Sequence, residues 1–291
     1  MKKAVNNILK IISYPLMYQG MQIFVVFIYM FAVGIFAGIR IVIDAVVSGD
    51  IFFGYTEDEI LDSVMSQVSV SVPLILSNIA CLIIIFSIFK KAWKTENFWS
   101  TRKIGASSVV LCLILGAALN FFTVGVLNLM QIPETEALDF IFNENIIFQF
   151  LAIGLIGPAL EEIIFRGIVQ KRLLKMVKVR TAIFLQALVF GVIHFNITQG
   201  IYAFFLGLIM GIIYLWFDSI WAVIAVHAAF NSTSVIVGYI AGDAGINSFT
   251  LIVMTVTALA ASVAVMAMLA GRKPVKTGDS DYNYNNNRWA Y

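Results

Sequence analysis

Six polar side chains interrupt the apolar stretches in the second half of this 291-residue chain. They lie in three short motifs, GPALEEIIFRG, FGVIH and HAAFN, and they include the only two histidines. An ionisable group at the centre of a bilayer costs ~2.5–3.5 kcal/mol, so each of these groups is expected to have a partner or a function. The six residues are Glu161, Glu162, Arg166, His194, His227 and Asn231.

The two adjacent glutamates are expected to have different roles. Glu162 and Arg166 are four residues apart, so on a helix they share a face and can form an ion pair with a structural or orienting role. Glu161 is rotated by about 100° from Glu162 and has no cation on its own face. A buried carboxylate without a local partner suggests a function, and the alternative is one structural ion-pair network that contains both glutamates.

The remaining three polar residues lie on two further apolar stretches. His227 and Asn231, in the motif HAAFN, are four residues apart and share a helix face. His194 lies on the earlier of the two stretches, at the end of the motif FGVIH. Counted from the basic ends of their helices at 1.5 Å per residue, Glu161 and these three residues lie roughly 12–20 Å deep. We therefore expect all four to converge in one cavity that opens toward the basic loops.

Such a set could hydrolyse an amide bond without a protein nucleophile. A carboxylate and an imidazole can hold and deprotonate water, and a second imidazole with an amide can donate hydrogen bonds to an oxyanion. The chain has neither a GxSxG nor an HExxH motif. Two histidines and a glutamate could instead bind zinc, although their spacing is not that of a local metal motif. The expected cofactor is therefore either none or zinc held by Glu161, His194 and His227.

The composition indicates the environment of these residues. Hydrophobic residues make up 60% of the chain and charged residues only 12%, which excludes a soluble enzyme, a nucleic-acid-binding protein and a disordered protein. The expected surroundings are a lipid bilayer, with no nucleic-acid partner. Cys81 and Cys112 lie inside apolar runs and predict no disulfide framework.

The apolar runs predict an all-α, polytopic membrane helix bundle with about eight transmembrane helices, because each run is long enough to cross a bilayer. The runs are continuous and lack the period-two alternation of a barrel. The predicted spans cover residues 17–39, 68–89, 104–132, 146–170, 181–197, 201–217, 219–240 and 247–270.

Loop charges predict the orientation of these spans, because lysine and arginine are enriched on the cytoplasmic side. Basic and acidic loops alternate along the chain, and the basic N-terminus precedes an apolar run too long for a signal peptide. Eight spans with both termini cytoplasmic satisfy every loop. The basic group comprises Lys2, Lys3, Lys10, Lys90, Lys91, Lys94, Arg102, Lys103, Lys171, Arg172, Lys175, Lys178, Arg180, Arg272, Lys273, Lys276 and Arg288.

The three motifs, in this order, resemble the EExxxR, FxxxH and HxxxN motifs of the CPBP family of CAAX-protease and bacteriocin-processing intramembrane proteases. This family, also called Abi, includes the CAAX prenyl endopeptidases. The resemblance covers residues 146–240. It implies that Glu161 and His194 activate water and that His227 and Asn231 stabilise the oxyanion. Members are named metalloproteases, yet a glutamate-dependent mechanism without metal is also proposed for them.

The sequence thus predicts an intramembrane endopeptidase that cleaves a membrane-associated or lipid-modified protein or peptide. The alternatives are a non-proteolytic scaffold or regulator of an envelope signalling protein and a proton-coupled transporter. The expected regions are an N-terminal three-span part (1–145), the catalytic core (146–240), a last helix (241–270) and a disordered cytoplasmic tail (271–291).

Two GxxxG patterns also occur in the apolar runs, one at Gly34 and Gly38 and one at Gly207 and Gly211. Because small residues at this spacing let helices approach closely, either pattern could form a homodimer interface.

Overall fold

The computed structural model describes residues 2–48, 56–65, 67–96, 102–132, 144–241 and 246–272. Within these ranges the regular structure is helical, without strands. The helices are α1 (Lys2–Ser48), α2 (Glu57–Met65), α3 (Ser71–Glu96), α4 (Ala106–Leu129), α5 (Ile146–Leu174), α6 (Val179–Val192), α7 (Ile197–Phe217), α8 (Ile220–Ala241) and α9 (Ser248–Gly271).

The predicted polytopic helix bundle is confirmed. Six of the described helices are long and apolar enough to cross a membrane, and shorter apolar helical stretches lie at Ser71–Ser87 and Val179–Val192. Each predicted span coincides with one of these eight stretches. The structure differs most at α6, whose 14 residues cover only roughly 21 Å at 1.5 Å per residue. That is less than the ~30 Å hydrocarbon core of a bilayer.

The helix α5 is irregular on both sides of the two glutamates. Its segments Phe150–Ile156 and Ile163–Gln170 are π-helical, and the α-helical turn Gly157–Glu162 lies between them. Pro158 explains the first irregularity, because proline has no N–H to donate to the carbonyl one turn earlier. In place of that donor, the side chains of Asn231 and Ser232 on α8 donate to the carbonyls of Ile153 and Gly154, at 3.0 and 3.4 Å.

The second GxxxG pattern is used for packing within the chain. A Cβ atom on Gly211 would lie 2.7 Å from the side-chain nitrogen of Gln186 and 3.2 Å from Cγ2 of Ile183, so α6 and α7 approach closely at this glycine. The Gly207 carbonyl, which faces the same way, accepts a hydrogen bond from Gln186 at 2.8 Å. On α1, Gly34 and Gly38 have open space around them, and dimerisation through that helix stays a prediction.

One carboxylate joins α3 to the start of α5. Glu144 accepts hydrogen bonds from the backbone N–H groups of Val70 and Ser71 and from the Ser69 hydroxyl. These N–H groups belong to the first turn of α3, where a helix leaves its donors unpaired and a negative charge is favourable. The Tyr29 hydroxyl of α1 accepts from the Ser69 N–H at 2.8 Å, so three helices are aligned at this end.

Glu134, Glu136 and Asp139 make the loop before α5 acidic in sequence, but they lie outside the described residues, as does the tail 273–291. The division into the regions 1–145, 146–240, 241–270 and 271–291 stays a prediction.

The orientation of the bundle can be tested by reporter fusions. With both termini cytoplasmic, fusions after Lys10, Glu59 and Arg288 are expected to report inside, outside and inside, because basic loops stay in the cytoplasm. Paired alkaline phosphatase and fluorescent-protein reporters would measure this. An external signal from the tail fusion would contradict the arrangement.

Candidate active site

The predicted ion pair forms in the interior of the bundle. Nη1 of Arg166 donates to Oε1 of Glu162 at 2.8 Å, and both side chains are fully buried. The i,i+4 spacing on α5 therefore brings the two groups together as expected. Their mutual attraction offsets the cost of removing both charges from water.

The guanidinium of Arg166 is also held by other helices. Nη2 donates to the carbonyl of Gly207 on α7 at 3.3 Å. The ring of Phe190 on α6 lies 4.7 Å from the guanidinium carbon, a geometry that favours a cation–π interaction. Arg166 thus connects α5 to both helices of the α6–α7 pair.

Glu162 has a second partner that local spacing does not reveal. Its Oε1 lies 2.8 Å from Nδ1 of His227 on α8. A carboxylate only accepts, so the proton of this hydrogen bond is on Nδ1, and Nε2 points away. Nε2 lies 3.9 Å from Oε2 of Glu161. The buried network contains Glu162, Arg166 and His227, and Glu161 lies at its edge.

The second histidine is oriented in a similar way. Nδ1 of His194 lies 2.7 Å from the carbonyl oxygen of Phe190, which can only accept, so Nδ1 carries the proton. In the neutral ring, Nε2 then has its lone pair available. The Phe190 ring contacts both imidazoles edge-on, with centroids 5.0 Å from His194 and 5.8 Å from His227. Phe190 therefore separates and orients the two rings.

Among the described residues, the Asn231 amide makes one hydrogen bond, from Nδ2 to the Ile153 carbonyl. A second N–H on the same nitrogen is left for another acceptor. Asn231 consequently combines a structural contact, which compensates for Pro158, with a donor that can serve a ligand.

These residues converge, as predicted, on one cavity of about 400 Å³. Glu161, His194, His227 and Asn231 all line it, and the Glu161 side chain is 19% exposed.

The positions of the lining residues do not support the expectation that the cavity opens toward the basic loops. On α5 the lining residues lie between Ala152 and Glu161, in the half next to Glu144, whereas residues 162–174 are buried. The depth estimate could not predict this. It gives the distance of each residue from the basic end of its helix, but it does not show which half of α5 is packed against other helices.

Four polar lining residues of the N-terminal helices were not predicted from the sequence. Tyr18, Gln19 and Gln22 come from α1, and Asn78 comes from α3. The available signal was their polarity within long apolar runs, with Tyr18 and Gln22 four residues apart on one face.

A metal site requires several donor side chains that point toward one centre. Among the described residues, no group of three His, Cys, Asp or Glu side chains is placed to hold a metal ion. Glu161 and His227 approach each other, and His194 lines the same cavity, but the three do not form a ligand set in this conformation.

The fold and site define a multi-pass membrane protein with a buried glutamate, histidine and asparagine cavity. Residues 143–233 match the family model described as "Type II CAAX prenyl endopeptidase Rce1-like". The chain is also 24% identical over 192 residues to "Putative membrane peptidase YdiL" of Bacillus subtilis (strain 168), an alignment that covers 63% of this chain and 78% of that protein. Both similarities support a CPBP/CAAX protease family, and the match to the family model lies in residues 143–233.

The buried ion pair yields a stability prediction. Arg166→Ala leaves the Glu162 carboxylate buried with only His227 as partner, and breaking such a pair costs about 3–5 kcal/mol. We expect a clearly lower unfolding temperature in detergent, measured by a thermal-shift assay, and a lower folded yield.

Arg40→Ala is the matched control, because Arg40 and Asp44 form the same i,i+4 pair with side chains 63% and 59% exposed. Its unfolding temperature should stay close to that of the wild type. Wild-type stability of Arg166→Ala together with lost cleavage would show that Arg166 acts in the chemistry instead.

Proposed function

We propose that this protein is an endopeptidase that hydrolyses a peptide bond in a membrane-associated or lipid-modified protein or peptide. The observation that carries the proposal is that Glu161 and His194 line the same cavity. Nδ1 of His194 is hydrogen-bonded to the Phe190 carbonyl, so Nε2 is the ring nitrogen left for a ligand. A base with a free Nε2 lone pair and a carboxylate thus face the same enclosed space.

In the first step, Glu161 and Nε2 of His194 bind one water molecule. One of them takes a proton from the water as its oxygen attacks the carbonyl carbon of the substrate. The carbonyl π electrons move onto the carbonyl oxygen, which becomes an oxyanion.

The oxyanion is stabilised by His227 and Asn231. Asn231 offers its remaining Nδ2–H. His227 can donate from Nε2 only when both ring nitrogens carry protons, because Nδ1 already donates to Glu162. The fixed Nδ1 bond orients this donor before the substrate binds, which is the condition for effective electrostatic stabilisation.

The tetrahedral intermediate then collapses. The oxyanion electrons re-form the carbonyl, the C–N bond breaks, and the proton taken from water passes to the leaving amine. A carboxylic acid and an amine are the products, and Glu161 and His194 return to their initial states.

The cavity restricts the substrate. Its volume of about 400 Å³ is within the ~300–1,000 Å³ range of small-ligand pockets, so it admits a short extended segment and not a folded domain. The lining helices lie within the apolar bundle, which favours substrates already held at the membrane.

Substitution of the two water-activating residues tests the proposal. Glu161→Gln keeps the volume and removes the base, and His194→Ala removes the imidazole. Each is expected to lower kcat by about 10²–10⁴-fold. Asn231→Ala should lower it by ~10²–10³-fold, as for loss of one oxyanion donor. Cleavage of a reconstituted membrane peptide, followed by mass spectrometry, measures these rates.

Glu57→Gln, which changes an exposed carboxylate on α2, is the control and should cleave like the wild type. Wild-type phenotype in cells that carry Glu161→Gln or His194→Ala would favour the non-proteolytic scaffold, since a scaffold needs neither group.

Metal dependence is tested separately. We propose hydrolysis without an obligatory metal, so the purified active protein should contain less than one zinc per chain and keep its activity in a strong chelator. Elemental analysis and the peptide assay measure both. Stoichiometric zinc, with activity lost on chelation and restored by zinc, would instead assign Glu161, His194 and His227 as ligands.

A further inference from the structure

The first helix contributes to the site although it lies outside the region that matches the family model. Most described side chains of α1 face outward, and only Ile11, Tyr14, Pro15, Tyr18 and Ala37 among them are buried. Tyr18 and its neighbour Gln19 both line the cavity. Tyr18 contacts Glu161 itself, and Gln19 contacts Ile193, the residue that precedes His194.

Tyr18 contacts Glu161. Its hydroxyl donates to Oε1 at 3.1 Å, and the side chain is only 2% exposed. The other oxygen, Oε2, is the one that lies 3.9 Å from Nε2 of His227. Glu161 is the carboxylate without a cation on its own helix face, so this phenol, supplied from a residue 143 positions away, is what restricts its rotation.

Gln19 contacts the turn that carries His194. Its Nε2 donates to the carbonyl of Ile193 at 2.5 Å. Carbonyls at the end of a helix lack partners in that helix, so an outside donor stabilises the end of α6.

The turn's own backbone bonds are long. The N–H groups of His194 and Phe195 lie 3.3 Å from their acceptors, and Phe195 has a left-handed φ of 52°. Because this φ is unfavourable for a side chain of this type, the turn depends on contacts from other helices.

We propose that α1 is part of the catalytic unit, with Tyr18 as a positioning residue for Glu161 and Gln19 as a positioning residue for His194. This inference rests on the proposed function. Two consecutive residues of one helix set the distance and angle between the two groups that bind water. A small rotation of α1 would therefore disturb both groups together. The geometry of Glu161 and His194 thus depends on how α1 packs against the other helices.

The test uses Tyr18→Phe and Gln19→Leu in the full chain. Both retain most of the side-chain volume and remove the hydrogen-bond donor. We expect each to lower kcat by about 10-fold or more, with KM within about twofold of the wild type, because the affected groups act on water and not on substrate binding. Initial rates of peptide cleavage over a range of substrate concentrations separate the two constants.

Tyr29→Phe is the matched control. Tyr29 lies on the same helix and its hydroxyl also takes part in an inter-helix hydrogen bond, with Ser69, but it does not line the cavity. Its kcat should equal that of the wild type. Thermal unfolding of all three variants in detergent checks the fold, and Gln19→Met replaces Gln19→Leu if the latter gives little folded protein.

The outcomes separate this inference from the proposed function. If Glu161→Gln is inactive while Tyr18→Phe and Gln19→Leu keep the kcat of Tyr29→Phe, the positioning role is wrong and the proposed function stands. A raised KM at unchanged kcat also contradicts positioning, because it indicates loss of substrate contacts. Full activity of Glu161→Gln would overturn both.

Discussion

The carboxylate of Glu162 is the group on which the rest of the interior depends. One of its oxygens accepts from both Arg166 and His227, and all three side chains are at least nine-tenths buried. In a bilayer, water is absent from the surroundings, so a charge of this kind must be satisfied by the protein. Arg166 extends the network to α7 through the Gly207 carbonyl, and His227 extends it to α8. The Glu162 carboxylate therefore determines both how α5 packs against its neighbours and how His227, a proposed oxyanion donor, is oriented.

The backbone of α5 depends on α8 in a second way. Pro158 removes a donor one turn before the glutamates, and the Asn231 and Ser232 side chains of α8 bond the carbonyls that would otherwise lack partners. Asn231 is consequently fixed next to the glutamate turn by a structural requirement. The same residue can then offer its second N–H to the cavity. Asn231 thus has both a structural role and a proposed catalytic role. Its position beside a π-helical segment fits the frequent occurrence of such segments at functional sites.

The helices around the cavity differ in length and in the level at which they end, and this difference leaves the space. The helix α6 ends at Val192, and the following turn places His194 beside Gln19 of α1. From Glu162 to Leu174, α5 is fully packed, so the open space lies on the other side, next to Glu144. Tyr18, Gln19 and Asn78 also line this space. The N-terminal helices are thus a component of the site and not only a membrane anchor.

The sequence by itself determined the features that depend on local spacing and composition. Continuous apolar runs predicted eight helical stretches, the four-residue interval predicted the Glu162–Arg166 pair, and the rarity of buried polar groups indicated that Glu161, His194, His227 and Asn231 converge. The tertiary structure alone decided the rest: the bond between His227 and Glu162, the contacts of Tyr18 and Gln19, and the side on which the cavity lies. Helices in a bilayer are apolar on every face, so hydrophobic periodicity does not show which face is turned inward or at what height two helices meet. Contacts between residues 65 to 174 positions apart are set by that height and rotation, and only the packed bundle specifies them.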